Sequence, residues 1–566
     1  ATKWDHTKWS PNYRNDNRIE THESGTAPCK TACPAHVAVQ GYLKLAAQGR
    51  YDEALALIKR ENPLPAICGR VCNRRCEDAC TRGRVDAAVA IDEVKKFIAQ
   101  RDLDAATRYV PPVVTPTRAG GFDQKIAIIG AGPAGLSCAF YLAEKGYKPV
   151  VFEKNERPGG MLTYGIPSFK LQKDVIEAEV EVIRLMGAEF RYGVEVGRDV
   201  TLDELREQGF KAFYVAIGCQ GGRLAGIPGE DAEDVTVAVD FLREVNSGKV
   251  DALPGRTIVV GGGNVAIDVA RNACRLGSEH VEMFCLESEA QMPASEEERR
   301  EAIEDGAHIS CGWGPKEVHL DEAGHVCGIT FKRCTRVMDD EGRFAPEYDE
   351  SDLRRVDADR VVMSIGQSIV WGDLLAGSKV ELGRGQGALA DPQTYQTAEP
   401  DIFVGGDVYT GPSFAIDAIA AGHEAAVSIH RFVQPGSTLT IGRNQRCYTA
   451  LDRDDVVIES YDNASREVAR VDREREKAAP FSEYVETFTE EQVRTETARC
   501  LGCGASIVDP NKCIGCGLCT TKCAFDAIHL DRDRPECSTM VKYEQKLPSL
   551  GKYALKRAIK IKFGKK

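Results

Sequence analysis

Residues 125–135 read Lys125-Ile-Ala-Ile-Ile-Gly130-Ala-Gly132-Pro-Ala-Gly135, an apolar strand that runs into a glycine-rich turn. Apolar residues at helical spacing follow, and a second strand, Pro149-Val-Val-Phe-Glu153, ends in an acid 18 residues after Gly135. The glycines permit a tight turn and let backbone N–H groups approach a pyrophosphate, while Glu153 is placed to bind ribose hydroxyls. Because strand, turn, helix and acid are all present, this stretch predicts a βαβ unit that binds a dinucleotide.

A second unit of the same kind begins at Arg256-Thr-Ile-Val-Val and continues as Gly261-Gly262-Gly263-Asn264-Val265-Ala266. Its next strand, His280-Val-Glu-Met-Phe-Cys-Leu-Glu287, also ends in an acid. A single unit of this kind could have a purely structural role and bind no dinucleotide. Two with intact glycines predict two bound dinucleotides facing each other, as hydride transfer between nicotinamide and flavin requires.

Length and charge limit the other possibilities. The 566 residues are enough for three or more folding units. The net charge of 73 − 86 = −13 argues against nucleic-acid binding, although residues 541–566 carry nine Lys/Arg against Glu544 alone. No apolar run approaches the ~18 to 20 residues of a membrane span, and residues 1–19 are polar. We therefore expect a cytoplasmic protein without a membrane span, whose basic tail is a solvated surface.

Cysteines are concentrated at the two ends of the chain. Of 21, six lie within residues 29–80 and seven within residues 500–537. This distribution favours metal or redox chemistry over a disulfide framework. The other eight are not paired at CxxC spacing, so we interpret them as ordinary thiols and expect no redox dithiol: Cys138, Cys219, Cys274, Cys285, Cys311, Cys327, Cys334 and Cys447.

The terminal cysteines have the spacing of iron–sulfur ligands. Cys29-x3-Cys33 and Cys68-x3-Cys72-x3-Cys76-x3-Cys80 could reach one or two cubane clusters; zinc is the alternative, but these spacings differ from those of zinc ribbons. Cys513-x2-Cys516-x2-Cys519-x3-Cys523 is a bacterial ferredoxin run with Ala524 in place of the usual proline. A cluster there would take the first three cysteines plus either Cys523 or Cys537. Thirteen terminal cysteines against the twelve needed by three cubanes favour three [4Fe-4S] clusters.

Several longer motifs resemble a known family. They include Asn62-Pro-Leu-Pro-Ala-Ile-Cys-Gly-Arg-Val-Cys72, Gly159-Gly-Met-Leu-Thr-Tyr-Gly165-Ile-Pro167 and Gly405-Gly406-Asp407. Over about residues 28–435 the chain resembles the glutamate synthase small-subunit family of flavin oxidoreductases. Relatives of that family include the large subunit of NADH-dependent ferredoxin:NADP oxidoreductase and the N-terminal half of dihydropyrimidine dehydrogenase.

The resemblance implies a multidomain fold in which an NAD(P)-binding Rossmann-like α/β domain is inserted into an FAD-binding one. The expected divisions are a helical iron–sulfur domain at 1–120, the FAD domain at 121–225 and 366–435, the NAD(P) domain at 226–365, a connecting segment at 436–480, a ferredoxin-like iron–sulfur domain at 481–540 and a basic tail at 541–566.

The resemblance also implies the binding residues. The FAD residues would be Gly130, Gly132, Pro133, Ala134, Gly135, Glu153, Lys154, Gly160, Met161, Gly165, Ile166, Gly406, Asp407, Ser413, Ala415 and Ile416. The NAD(P) residues would be Gly261, Gly262, Gly263, Asn264, Val265, Glu287 and Gly366. Many family members carry an arginine pair where this chain has Leu286 and Glu287. Because a carboxylate accepts a bond from a ribose 2′-OH but repels a 2′-phosphate, we expect NAD(H) to be favoured over NADP(H).

One family motif is displaced in this chain. Members usually carry a CxxC upstream of the first cysteine pair; here it is absent and a similar phrase, Cys500-Leu-Gly-Cys503, lies near the C-terminus. We therefore expect the C-terminal segment to fold back onto the N-terminal domain. The predicted ligand sets are Cys29, Cys80, Cys500 and Cys503 for one cluster and Cys33, Cys68, Cys72 and Cys76 for another, with the pairing within them uncertain.

Together these patterns predict an NAD(P)H-dependent flavin oxidoreductase subunit. Electrons would pass between nicotinamide, FAD and three clusters, to or from a partner subunit or ferredoxin. An electron-bifurcating complex is one arrangement that uses such a route. No catalytic side chain beyond the flavin is expected. The alternative is a subunit of a larger complex that carries FAD and clusters without turning over nicotinamide.

Overall fold

The fold is that of a computed structural model, which describes residues 25–114, 121–456, 458, 461–505, 513–522, 528 and 543–563. The chain divides into two compact units. One is Gly25–Gly504, and the other comprises Ala1–Ser24 with Ala505–Lys566.

The N-terminal part of the large unit is helical. Gly49, at φ +71°, separates the two helices that the apolar spacing predicted. The N-terminus of the sixth helix, which begins at Ile91, is capped by a residue from outside the helix. The Glu77 carboxylate accepts the backbone N–H of Asp92 at 2.9 Å. The helices are α1 (Pro28–Thr31), α2 (Val39–Ala47), α3 (Tyr51–Lys59), α4 (Pro65–Val71), α5 (Arg75–Asp78) and α6 (Ile91–Leu103), with a 3₁₀ turn at Thr81–Arg84.

The first dinucleotide unit follows as strands and helices in alternation. Its glycine turn is tight, since Gly130 has φ +103° and a Cβ there would lie 2.5 Å from the Ala216 carbonyl oxygen. The elements are β1 (Lys125–Ile129), α7 (Pro133–Glu144), β2 (Val150–Glu153), α8 (Met161–Tyr164), α9 (Lys173–Leu185), β3 (Glu189–Tyr192), α10 (Leu202–Glu207) and β4 (Phe210–Val215).

A second αβ region is inserted after β4. Its elements are β5 (Gly221–Gly222), β6 (Val235–Val237), α11 (Ala238–Asn246), β7 (Arg256–Val260), α12 (Asn264–Arg275), β8 (His280–Cys285), α13 (Glu296–Glu304), β9 (His308–Cys311), β10 (Trp313–Leu320), β11 (Val326–Met338), β12 (Phe344–Val356), β13 (Arg360–Met363) and β14 (Gln367–Ser368). A parallel sheet has the order β6-β13-β7-β8-β9, and β10-β11-β12 form an antiparallel sheet. Strands β5 and β14 pair antiparallel where the chain enters and leaves the insertion.

The chain then returns to the first sheet. The elements are β15 (Ile402–Val404), α14 (Asp407–Thr410) and α15 (Ala415–Val433). The completed parallel sheet has the order β15-β4-β1-β2-β3. Helix α15 packs closely on α7, because a Cβ on Gly422 would lie 2.2 Å from the Ala134 carbonyl oxygen. An α/β domain interrupted by another, with parallel sheets in both, is the fold class predicted from the sequence.

The C-terminal part differs from the expected division at 481. Residues 481–504 belong to the large unit, where helices α16 (Arg473–Ala478) and α17 (Glu490–Ala498) lie. Phe488 and Val493 are buried in the same apolar core as the N-terminal helices, which explains why this segment belongs to the large unit. The small unit contains α18 (Leu518–Lys522) and α19 (Tyr543–Phe563). The remaining domain limits stay predictions.

None of the helices in the described residues combines the length and apolar character needed to cross a bilayer.

Candidate functional site: a two-domain cleft and two cysteine cavities

A cleft with about 1030 Å³ of empty space lies at the carboxyl end of the first parallel sheet. The glycine turn after β1 forms one wall, and the loop at Gly160 packs against it. Gly132 has no atom within 4 Å of the position a Cβ would take, so the backbone here is open to a ligand. The N-terminus of α7 begins at this turn, which suits the phosphates of a dinucleotide.

Glu153 is fixed at the end of β2. It is 3 % exposed, and its carboxylate accepts the backbone N–H of Ala131 at 2.8 Å and that of Asn155 at 2.9 Å. These bonds hold the carboxylate in the cleft wall beside the glycine turn. Its position fits the ribose contact that the sequence predicted.

Asp407 also lines the cleft, at the start of α14. Its carboxylate accepts the backbone N–H of Ser413 at 3.3 Å, and burial raises its pKa to about 6. A ligand hydroxyl that donates to this carboxylate would offset the cost of burying its charge.

Most of the predicted FAD residues line this cleft. They are Gly130, Gly132, Pro133, Ala134, Glu153, Gly160, Met161, Gly165, Ile166, Gly406, Asp407, Ser413 and Ala415. Three do not. Gly135 is buried, and a Cβ there would collide with the Gly130 carbonyl oxygen at 1.9 Å, so its role is packing. Lys154 is exposed outside the cleft, and Ile416 lines a cysteine cavity instead.

The sequence did not single out several further lining residues, most of which lie outside the quoted glycine motifs. They are Leu162, Ala216, Ile217, Gly218, Gln220, Leu242, Asp268, Gln367, Gly405, Phe414 and Ala418. Val265 and Asp268 come from α12 of the inserted domain, so the cleft has walls from both dinucleotide units. A salt bridge of 2.6 Å between Asp268 and Lys170 links the two domains beside it.

The second glycine turn adjoins Glu287. Gly261 has φ +144°, and Gly263 caps α12. A Cβ on Gly262 would lie 3.0 Å from the Glu287 carboxylate, which places that carboxylate beside the turn. The Asn264 side chain accepts the backbone N–H of Ser295 at 3.2 Å, and Gly366, at φ +125°, directly precedes β14. This arrangement fits a ribose-binding carboxylate at a dinucleotide turn.

Arg333 is a basic residue near the Glu287 backbone that the sequence did not single out. Its guanidinium carbon is 3.3 Å from where a Cβ on Gly312 would lie, and the Gly312 N–H donates to the Glu287 carbonyl oxygen at 2.9 Å. The guanidinium also lies over the Trp313 ring, 5.1 Å from its centroid. Arg333 lies on β11, 46 residues after Glu287 in the sequence, so no local motif predicts that the two residues are close.

Two of the scattered cysteines meet in the inserted domain. Cys285 and Cys311 are register partners on β8 and β9, with their Sγ atoms 3.7 Å apart. The expectation of no dithiol rested on CxxC spacing, which cannot detect two cysteines on neighbouring strands 26 residues apart. Neither thiol lines the cleft at the carboxyl end of the first parallel sheet, called the flavin cleft below. The pair is therefore not placed to exchange electrons with a flavin bound there.

The first cysteine cavity, of about 330 Å³, brings together both ends of the large unit. Its lining includes Cys29, Cys80, Cys500 and Cys503. The Gln40 amide donates to the Cys503 carbonyl oxygen at 2.6 Å and ties the C-terminal segment to α2. Burial raises the pKa of Cys29 far above its ordinary value, so a free thiol there would be protonated and unreactive.

Arg499 holds the C-terminal segment in place. This fully buried guanidinium donates to the Ala87 carbonyl oxygen at 2.6 Å and to the Ala464 carbonyl oxygen at 3.0 Å. It also pairs with Glu496, which is itself 0 % exposed. The Glu496 carboxylate in turn accepts the backbone N–H of Ala90 at 2.7 Å. The network positions Cys500 and Cys503 opposite the N-terminal cysteines.

The second cysteine cavity, of about 380 Å³, is lined by Cys33, Cys72 and Cys76. Cys68 is buried next to it, and its Sγ is 3.9 Å from the Asn62 side-chain oxygen. The Asn62 amide nitrogen, in a residue that is 0 % exposed and lines the cavity, has no hydrogen-bond partner among the described residues. A buried donor without a partner is costly, so this amide fits an acceptor inside the cavity, as the sulfur atoms of a cluster would be.

The three spaces form a series. Ala415 lines the flavin cleft, and its neighbour Ile416 lines the second cavity. Val39 lines both the second and the first cavity. Two adjacent residues of α15 and one valine therefore lie between successive spaces.

The ferredoxin run lies in the small unit. Cys513 and Cys516 are exposed, and Cys519 lies in α18. Cys523 and Cys537 fall outside the described residues.

Comparison with known families agrees with these observations. Residues 124–422 match the pyridine nucleotide-disulphide oxidoreductase family, residues 21–107 match dihydropyrimidine dehydrogenase domain II with its 4Fe-4S cluster, and residues 506–529 match a 4Fe-4S binding domain.

Similar proteins span most of the chain. The NADP(+)-dependent formate dehydrogenase subunit beta of Moorella thermoacetica is 35% identical over 514 residues, covering 84% of this chain and 70% of that protein. The glutamate synthase [NADPH] small chain of Escherichia coli K12 is 35% identical over 431 residues, covering 72% and 89%. The NAD-dependent dihydropyrimidine dehydrogenase subunit PreT of Escherichia coli O157:H7 is 32% identical over 411 residues, covering 72% and 91%.

These matches confirm the family predicted from the sequence motifs. The chain therefore belongs to the pyridine nucleotide-disulphide oxidoreductase family, as an NAD(P)H-dependent flavin and iron–sulfur oxidoreductase similar to the glutamate synthase small chain.

Proposed function

We propose that this chain exchanges electrons between a nicotinamide dinucleotide and a protein partner through FAD and three [4Fe-4S] clusters. The observation that carries the proposal is the cleft lined from both dinucleotide units, with Val265 and Asp268 facing the glycine turn of the first unit. A bound FAD would supply the ability to take a hydride and release electrons singly. The chain's own residues would bind the cofactors and align them, with Glu153 and Asp407 among the carboxylates that line the cleft.

The proposed order of electron carriers rests on shared walls. A cofactor in the cleft and a cluster in the second cavity would be separated by Ala415 and Ile416. Val39 would separate the second cluster from the first. Cubanes in these cavities would therefore continue a short route from the flavin.

The ligand sets proposed for these clusters are those expected from the sequence. Cysteines surround each cavity, and no three His, Cys, Asp or Glu residues in the described parts of the chain converge closely enough for a single metal ion. A cubane holds its four ligand sulfurs farther apart than one zinc ion does, so this spacing favours clusters over zinc. The third cluster would use Cys513, Cys516 and Cys519 with either Cys523 or Cys537.

The choice of nicotinamide is proposed to be NAD(H), through Glu287. Its carboxylate at the second glycine turn would bind a ribose 2′-OH and repel a 2′-phosphate. Arg333 is the competing influence, and the Moorella and K12 proteins carry NADP or NADPH in their names while PreT carries NAD. The balance between these two side chains would set the preference.

The Glu287→Gln variant (E287Q) tests this choice. Because a hydrogen bond to a charged group contributes about 1.5 to 3 kcal/mol, the NADH:NADPH ratio of kcat/KM should fall at least about tenfold. Glu289→Gln, an exposed position two residues later, is the matched control and should leave the ratio unchanged. A wild-type preference for NADPH that Arg333→Ser abolishes would instead assign the 2′-phosphate to Arg333.

We further propose that the protein works in a hetero-oligomer, with a partner subunit or ferredoxin as its electron acceptor or donor. The three relatives are all named as subunits or chains of larger enzymes, which supports this. A reducing compartment such as the cytoplasm suits free thiols and cluster ligands.

The proposal is tested by anaerobic benzyl viologen reduction with purified, cluster-replete protein. Activity with NADH or NADPH is expected, and the double variant Cys500→Ser/Cys503→Ser should lose about one cluster's iron, roughly four atoms per chain. No rate with either nucleotide, in protein that retains FAD, would refute nicotinamide turnover and favour the role of an electron carrier within a larger complex.

A further inference from the structure

A buried lysine lines the second cysteine cavity. Lys95, on α6, is 6 % exposed and shares the cavity wall with Cys33, Cys72 and Cys76. Its ammonium group pairs with Asp92, one turn earlier on the helix and 2 % exposed. Asp92 is not part of the cavity wall, so the cation is the member of the pair that borders the cavity.

The other charges nearby are more exposed or paired away from the cavity. Arg75 also lines the cavity, but its side chain is 40% exposed and is bound by Asp417 at 2.9 Å. Arg74 is 36% exposed and reaches the Asp92 carboxylate only at 3.9 Å. The Glu77 side chain is buried, and its carboxylate pairs with Arg466 at 2.6 Å. Among the described residues, Lys95 is therefore the one buried cation in the wall of this cavity.

We propose that Lys95 raises the reduction potential of the cluster held in the second cavity. The inference rests on the proposed function, since it requires a [4Fe-4S] cluster at that place. Reduction adds one negative charge to a cluster, and a nearby cation stabilises the reduced form more than the oxidised form. Because Lys95 is buried, salt screens this interaction weakly. The cluster next to the flavin cleft would then receive an electron readily from a reduced flavin.

The consequence for function concerns the order of electron transfer. A higher potential at the second cavity than at the first would let the first electron from a reduced flavin rest on the cluster beside Ile416. The second electron would stay on the flavin until the first moves on to the first cavity. Lys95 acts on the reaction through the cluster and is thus a tuning residue, not a catalytic one.

The test is an EPR-monitored redox titration of the complete, cluster-replete chain. Lys95→Met should lower the midpoint potential of one cluster signal by at least about 59 mV. For one electron, this shift is a tenfold change in the equilibrium constant of reduction. Asp92→Asn removes the partially compensating carboxylate and should shift the same signal upward. Lys95→Arg keeps the charge and should stay near wild type.

Lys59→Met is the matched control. Lys59 is also buried, at 1 % exposed, and pairs with Asp102 at 2.6 Å, but it lines neither cysteine cavity. It should leave every cluster potential unchanged. Equal shifts in K95M and K59M, or no shift in K95M, would overturn the proposal.

Two results separate this inference from the proposed function. If K95M fails to retain iron, Asp92→Asn decides alone, and the absence of an upward shift refutes the role of Lys95. If the wild-type chain shows no cluster signal assignable to the large unit, with Cys33→Ser leaving the spectrum unchanged, the ligand assignment itself fails and the inference fails with it.

Discussion

Replacing Arg499 by methionine should detach the C-terminal segment that brings Cys500 and Cys503 to the first cavity. The guanidinium is 0 % exposed and bonds three backbone carbonyls, the Asp86 carboxylate and the equally buried Glu496. Removing one partner of a buried ion pair costs about 3 to 5 kcal/mol, because the remaining charge is left uncompensated. That loss corresponds to a factor of about 10² to about 5 × 10³ in the docking equilibrium of residues 490–503.

The assay is iron content together with hydrogen exchange of α17. R499M should lose about one cluster's iron, and the amides of α17 should lose protection. Arg494→Gln is the control, because Arg494 lies in the same helix but is 67% exposed and pairs with the exposed Glu490. The double variant Arg499→Met/Glu496→Met removes both charges and should recover part of the protection. Wild-type iron and protection in R499M would refute the reasoning.

Other perturbations give further tests. Lys170→Met breaks the largely buried bridge to Asp268 and should slow anaerobic flavin reduction by NADH about tenfold or more in stopped-flow, while FAD content stays constant; unchanged rates would show that the bridge does not align the domains. His423 is buried against Tyr141, and burial lowers its pKa to about 3 from an unfolded value of about 6.5. The unfolded chain thus binds more protons between those values, so the stability contribution is complete above pH 6.5 and is lost as pH falls. His423→Gln should remove about 2 kcal/mol of the loss between pH 6.5 and 5, seen as a smaller drop in Tm, and an unaltered drop would contradict this. Gly422→Val has no room against the Ala134 carbonyl oxygen and should lower FAD content in the purified protein by pushing α15 away from α7; full FAD occupancy would count against that close packing.

Motifs confined to a short stretch could be predicted from the sequence. The glycine turns at Gly130 and Gly261 adopt positive φ where the sequence pattern requires it, and Glu153 and Glu287 lie beside them. Such units are recognisable because the residues that make the turn, the helix start and the acid are close along the chain.

The displaced CxxC motif predicts that Cys500 and Cys503 return to the N-terminal domain. The structure brings both residues to one cavity with Cys29 and Cys80. The sequence alone offered no reason for Arg499 to be buried, although this arginine and Glu496 make the contacts that hold the segment.

The sequence by itself determined the order of the binding units and the cysteine groups, because local spacing dictates those. Only the tertiary structure decided that Ile416 faces a cysteine cavity while Ala415 faces the flavin cleft. It also decided that Lys95 borders cysteines, that Arg333 comes near Glu287, and that Cys285 meets Cys311. Each of these depends on how helices and strands distant in sequence pack together, and packing is a property of the whole core that no local pattern contains.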